Sequence, residues 1–243
     1  MRIIYFIFLL VFTFSCGSES DVVISPTQVV DEDTRVQVPK TTINPYRMMG
    51  MLKFKRGGSS SYMCTGTLIG PRHVLTAAHC LKSGDSWASD IYFIPGKNGS
   101  SEPYGKVSYK RALIPTEYER SRNINYDYGL VVLNKDIGRD LGYMEFDVYS
   151  LNSTKLNIAG YPGDKPYGTM WRNFCSVESK NNLIIHVCDT TGGMSGAALY
   201  KYSDSTKSRT ILGIHGGTYG SKNRGVAITP EVNEILSKWI SEN

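Results

Sequence analysis

Apolar positions in this chain come in short runs, and clusters of turn-forming residues cut them off at close intervals. Residues 46–54 lead into Arg56-Gly57-Gly58-Ser59, residues 67–69 into Gly70-Pro71, and residues 91–94 into Pro95-Gly96. The same arrangement recurs at 128–133, at 156–159 before Gly160-Tyr161-Pro162-Gly163, at 183–187, at 197–202, and at 211–214 before Gly216-Gly217. Runs of β-branched, aromatic and aliphatic residues bounded by Gly and Pro predict strands, and many such strands predict a barrel or a sandwich. Only the end of the chain reads differently. From Pro230 onward, Val232, Ile235, Leu236, Trp239 and Ile240 fall on one helical face, with Thr229 placed to cap it and Pro230 at the first helical position. The expected architecture is mostly β, closed by one docked helix, and no repeat at a fixed short period runs through it.

Composition agrees with a soluble globular protein: 243 residues, 41% hydrophobic and 20% charged, enough for one domain with a sizeable core. The net charge of +5 is spread over the chain without a basic run, so nucleic acid is not an expected partner. Residues 1–16 read as an export signal, with Arg2 in a short basic region, an apolar stretch over 3–14 and small residues at Ser15-Cys16-Gly17. Thr13-Phe14-Ser15-Cys16 allows a second reading, lipid attachment at Cys16, though the Leu usual three residues before such a cysteine is missing; only then would the protein be held at a membrane. Residues 17–27 read as a spacer or propeptide, and 28–243 as the folded domain. With Cys16 set aside, Cys64, Cys80, Cys175 and Cys188 form an even set in an exported chain. Four cysteines permit three pairings; short spacing favours Cys64–Cys80 and Cys175–Cys188, each bridge adding roughly 3 kcal/mol.

Three local environments carry chemistry. In Thr76-Ala77-Ala78-His79-Cys80 the histidine has small neighbours and a cross-linked one, which suits a general base that must meet its partner within hydrogen-bond reach. In Gly192-Gly193-Met194-Ser195-Gly196 the glycines let the backbone turn tightly and aim the N–H groups of Gly193 and Ser195 at one point, an oxyanion hole. In Asn125-Tyr126-Asp127-Tyr128 an aspartate leads into an apolar strand, where a buried carboxylate needs a partner and an imidazole N–H is a natural one. Each alone has a bland reading. Together, in the order His–Asp–Ser, they match the chymotrypsin-type triad and not the orders of subtilisins or α/β-hydrolases.

The chain resembles the glutamyl endopeptidases, a secreted bacterial branch of the chymotrypsin-like serine proteases. The resemblance rests on Asp33-Thr34-Arg35, Pro45-Tyr46-Arg47, Cys64-Thr65-Gly66-Thr67-Leu68-Ile69-Gly70-Pro71, Ala78-His79-Cys80, Tyr126-Asp127-Tyr128-Gly129, Gly160-Tyr161-Pro162-Gly163-Asp164-Lys165 and Asp189-Thr190-Thr191-Gly192-Gly193-Met194-Ser195-Gly196. It implies an all-β, chymotrypsin-like fold of two six-stranded β-barrels with a C-terminal α-helix. It also implies a secreted monomer that cleaves proteins after Glu, less often Asp. No Cys, His and carboxylate cluster has metal-ligand spacing, so catalysis is expected to need no metal or cofactor, while a structural calcium stays open. His79, Asp127 and Ser195 would be catalytic. The substrate carboxylate would meet Thr190, His215 and the α-amine of a mature N-terminus near Gln28 or Val29. His73, after a turn, and His186, within an apolar strand, read as structural.

Two departures matter. Ala197-Ala198 replaces the Ser-Pro that usually follows Ser195-Gly196 in this family. Met194 stands where trypsin-like zymogens carry the aspartate that pairs with a new N-terminal amine, so that ion pair cannot form and the N-terminus is free to act at the pocket. Two rivals stay open: the same fold with another preference before the cleaved bond, and a catalytically dead binding module.

Overall fold

The computed structural model describes residues 28–30, 32–58, 60–150 and 153–243; the expected export signal, spacer and Cys16 lie outside them. Twelve strands close into two barrels. The first holds β1 (Met49–Lys55), β2 (Ser61–Leu68), β3 (His73–Thr76), β4 (Ser89–Pro95), β5 (Val107–Leu113) and β6 (Gly129–Leu133) in the ring order β1-β2-β3-β6-β5-β4. The second holds β7 (Lys155–Gly160), β8 (Trp171–Lys180), β9 (Leu183–His186), β10 (Ala198–Tyr202), β11 (Arg209–Tyr219) and β12 (Lys222–Ala227) in the ring order β7-β8-β9-β12-β11-β10. Renumbered from its first strand, the second order is the first. The chain winds the same antiparallel figure twice, and closure removes the open edges that a sheet of this size would expose.

The predicted runs mostly lie in strands, with one instructive difference. Gly216-Gly217 reads as a turn in the sequence, yet β11 continues through it to Tyr219 with a shift in register between His215 and Gly217. A bulge, not a chain reversal, uses these glycines. Short helices at Ala78–Leu81, Thr116–Ser121 and Gly138–Leu141 were also unforeseen, since four to six residues carry too little periodicity to read. The C-terminal helix runs Pro230–Glu242, and the Thr229 hydroxyl accepts from the Val232 N–H at 3.3 Å as the cap. Val232 and Leu236 are buried in the core, and Trp239 packs on Tyr128 with ring centroids 6.0 Å apart. The helix therefore clamps the strand that follows Asp127.

Both short-range disulfides are formed, Cys64–Cys80 and Cys175–Cys188. The first ties β2 to the residue after His79, and the second ties β8 to the residue before Asp189. Each stiffens a segment next to a predicted site residue.

Candidate active site

His79 sits in the one-turn helix after β3, where enclosed Ala77 and Ala78 leave room for its ring. Asp127 begins the stretch into β6 and is 2% exposed. Its carboxylate holds the histidine twice: Oδ1 accepts from the His79 backbone N–H at 3.0 Å, and Oδ2 lies 2.9 Å from Nδ1. Burial alone would push the Asp127 carboxyl up. The charge and hydrogen bonds of His79, with help from Arg224, outweigh it and hold the group below the usual carboxylate range. The Arg56 guanidinium donates to the carbonyls of His79 and Cys80, both at 2.7 Å, and so caps the short helix. Asp127 thus fixes the ring while leaving its other face open, the side chain being 25% exposed.

Ser195 comes from the second barrel, in the turn before β10. Gly196 explains how it reaches the first. That residue has φ +83°, and a Cβ there would run into Thr76 Oγ1 and the Thr65 carbonyl and lie 2.8 Å from the Ala77 nitrogen. Only glycine lets the serine turn dock on the segment that leads into His79. The Thr65 N–H donates to the Ser195 carbonyl at 2.8 Å and locks the dock. Gly193, at φ +97°, is held as tightly, because a Cβ would strike the Tyr161 carbonyl. The structure thus joins His79 directly to Asp127 and seats the Ser195 turn against their barrel.

Beside the serine turn lies a buried polar cluster in the second barrel, where the Gly196 N–H donates to the His215 carbonyl at 2.8 Å. Thr190, His215 and Asn223 are wholly buried and His186 nearly so. Among the described residues, Thr190 Oγ1, His215 Nε2, Asn223 Oδ1 and His186 Nδ1 have no hydrogen-bond partner. Buried polar atoms are almost always paired, so four unpaired ones in one region point to a ligand or water. The Gln28 carbonyl accepts from the Thr190 N–H at 3.2 Å and from Asn223 Nδ2 at 2.8 Å, which brings the start of the described chain to this cluster.

His186 is not an isolated core histidine: its Nε2 lies 3.1 Å from His215 Nδ1. Burial pushes His186 down to about 3. Burial, then the charges of His186, Arg224 and His79, push His215 well below its ordinary value. Both rings are neutral near pH 7, so His215 serves there as a hydrogen-bonding group and not as a cation. His73 is buried too, and among the described residues neither of its ring nitrogens has a hydrogen-bond partner.

Sequence reasoning missed Asn223, the role of His186, and Arg224, whose Nη1 lies 3.7 Å from Asp127 Oδ2 above Gly216. None has a local signature, since each acts on a residue from another strand.

The sequence profile of the trypsin family matches residues 35–181. The chain belongs to the trypsin family. Within that family it is 39% identical over 222 residues to a glutamyl endopeptidase of Bacillus licheniformis, covering 87% of this chain and 68% of the relative. It is 34% identical over 226 residues to a Bacillus subtilis protein named extracellular metalloprotease, covering 90% and 72%. A solved Glu endopeptidase in complex with MPD superposes with TM-score 0.78 at 28% identity, covering 88% of this chain and all of the other. The glutamyl endopeptidase resemblance and the double-barrel fold are both borne out, and the protein is a serine protease of the trypsin fold.

The second relative's name implies a metal. Among the described residues, Cys64, His79 and Cys80, and Cys175, His186 and Cys188, bring donor atoms within 4.8 Å of one another. All four sulfurs are bonded in disulfides, which leaves one imidazole per group, too few to hold zinc. These donor sets do not fit a metalloprotease centre. Among the described residues no helix is long and apolar enough to cross a membrane.

Proposed function

We propose that this trypsin-family protein is a secreted endopeptidase that hydrolyses peptide bonds after Glu, and less often after Asp, through an acyl-enzyme on Ser195. The His79–Asp127 pair supports the first part. His79 Nε2 takes the Ser195 proton as Oγ attacks the scissile carbonyl, then returns it to the leaving amine, while Asp127 holds the tautomer and stabilises the imidazolium between those steps. The amides of Gly193 and Ser195 receive the developing oxyanion. Water, activated by His79, then frees the acid product.

The unpaired atoms of Thr190 and His215 are the observation that carries the specificity. With the bond to His186 made at Nδ1, Nε2 of neutral His215 can donate, as can the Thr190 hydroxyl. A glutamate carboxylate brought between them gains the partners that a buried charge requires. His215 is neutral, so positive charge must come from elsewhere, and the position of Gln28 supports an α-amine generated close to it. Residues 1–27 would be removed during export and maturation, and the enzyme would act as a monomer outside the cell.

Matched peptides with Glu, Asp, Lys, Arg or Phe before the cleaved bond test the reading. Glu should be preferred over Lys and Phe by at least about 100-fold in kcat/KM, because a site built to hydrogen-bond rejects groups that leave its polar atoms unpaired. Faster cleavage after Lys or Phe would remove the pocket assignment. Failure of Ser195 to react with an organophosphate would favour the binding module.

A further inference from the structure

The segment that precedes the first barrel does more than touch Thr190 and Asn223. It lies along residues 189–191, just before the serine turn. Asp189 accepts from the Val30 N–H and the Thr34 N–H, both at 2.8 Å, and from the Thr34 hydroxyl at 2.7 Å. Arg35 ends the run, with its side chain fully enclosed.

Its guanidinium uses every edge. Nε donates to Asp33 at 2.8 Å, Nη1 and Nη2 donate to the two oxygens of Asp164 at 2.9 and 2.5 Å, and Nη1 also reaches the Thr191 hydroxyl at 3.1 Å. The Thr191 hydroxyl donates to Asp164 in turn. Lys165 closes the outer side on Asp33 at 2.7 Å.

Two loops meet at this guanidinium. One is the Gly160-Tyr161-Pro162-Gly163-Asp164 turn, and the other is Thr191-Gly192-Gly193. They touch again one step nearer the serine: the Gly163 N–H donates to the Gly192 carbonyl at 2.6 Å. The Tyr161 carbonyl, in the first loop, is the group that packs against Gly193. The Met194 N–H donates to the Thr191 carbonyl at 3.0 Å. Met194 itself is enclosed and apolar, so it offers the N-terminal segment no ion pair beside the nucleophile. The polar link between that segment and the serine turn runs through Arg35 instead.

We propose that Arg35 is a positioning residue: with Asp164 and Thr191 it holds the 160–164 turn against Gly192-Gly193 and so sets the amide that faces the oxyanion. A planar fork bound to a carboxylate at two points fixes orientation as well as distance, which a point charge does not. Misplacing a reacting group by about 1 Å costs on the order of 100-fold in rate. The inference rests on Ser195 being the nucleophile and Gly193 an oxyanion donor.

The test uses the processed enzyme, a peptide ester with Glu before the cleaved bond, and thermal unfolding of each variant. Thr191→Val removes one hydroxyl and leaves the ion pairs in place, while Arg35→Lys keeps the charge and loses the fork. The expected result is a fall in kcat, about 10-fold for Thr191→Val and about 100-fold for Arg35→Lys, with KM within about 3-fold of wild type. Arg35→Met combined with Asp164→Asn should cost no more kcat than Arg35→Met alone, since both break one contact. Wild-type kcat in folded Thr191→Val and Arg35→Lys overturns the proposal, as does a loss confined to KM. If Arg35→Met does not fold, those two milder variants decide. An inert wild type, unreactive to organophosphate, defeats the reading of Ser195 and this inference with it; an active wild type with unaffected variants defeats the inference alone.

Discussion

Each barrel holds a histidine in a hydrogen-bonded pair, but the partners are of opposite kind. In the first, His79 leans on the ionised carboxylate of Asp127 and keeps one face toward solvent. In the second, His215 leans on another imidazole, His186, and both are buried. A carboxylate partner rewards a positive charge on the ring, so the first pair suits a group that must take up a proton and release it. A neutral partner in a dry setting penalises that charge, so the second pair suits a fixed donor. The two barrels are wound in the same order, and the roles proposed for the two histidines differ through one partner residue and its exposure.

The largest expected effect comes from removing the charge in the first pair. Asp127→Asn should keep the fold and lower kcat by about 10⁴-fold, because the amide favours the wrong tautomer of His79. A loss under 10-fold, measured by steady-state hydrolysis, would deny the pair its role. In the second pair, His215→Leu should cut kcat/KM on Glu peptides by about 100-fold while organophosphate still labels Ser195 at a near-normal rate, which separates recognition from chemistry. Thr190→Val is a smaller change of the same kind. It should weaken Glu peptides by about 10-fold, chiefly in KM, since one hydrogen bond to a charged carboxylate is worth about 1.5 kcal/mol.

The contrast also predicts a pH effect on stability. His186 has a folded value near 3, below the ordinary 6.5 of the unfolded chain. As pH falls below 6.5 the unfolded state takes up a proton that the folded state refuses, so stability declines. Between pH 7.5 and 5 that amounts to about 2 kcal/mol for this histidine. Denaturant titrations at those two pH values should show the decline in wild type and a smaller one in His186→Leu. An equal decline in both would mean that His186 is not held neutral.

Much of this was legible in the residues. His79, Asp127 and Ser195 each sit in a distinctive local setting, and their order narrows the fold before any contact is known. Thr190 and His215 came with the family resemblance, and the close cysteine spacings favoured the pairing that is formed. What stayed hidden acts across the chain. Arg35 meets Asp164 and Thr191 across 129 and 156 residues, and Asn223 meets Gln28 across 195. No local pattern marks a residue whose partner lies that far away. Strand β5 was missed because Ser108, Lys110 and Arg111 face solvent and dilute its apolar signal. The repeated winding of the barrels was invisible too, since strand order is a property of pairings and not of residue identity. Gly216-Gly217 misled for a physical reason. Glycine serves turns and close approaches alike, and here a Cβ at Gly216 would lie 2.8 Å from Asp127 Oδ2.

The central claim is that the neutral donors of Thr190 and His215, with a positive α-amine generated close to Gln28, direct the first barrel's base to bonds after glutamate. Two peptides that differ only in Glu or Gln before the cleaved bond test it most directly, being equal in shape and unequal in charge. The account predicts kcat/KM for Glu at least 100-fold above Gln in the processed enzyme. Equal rates for the two would contradict it.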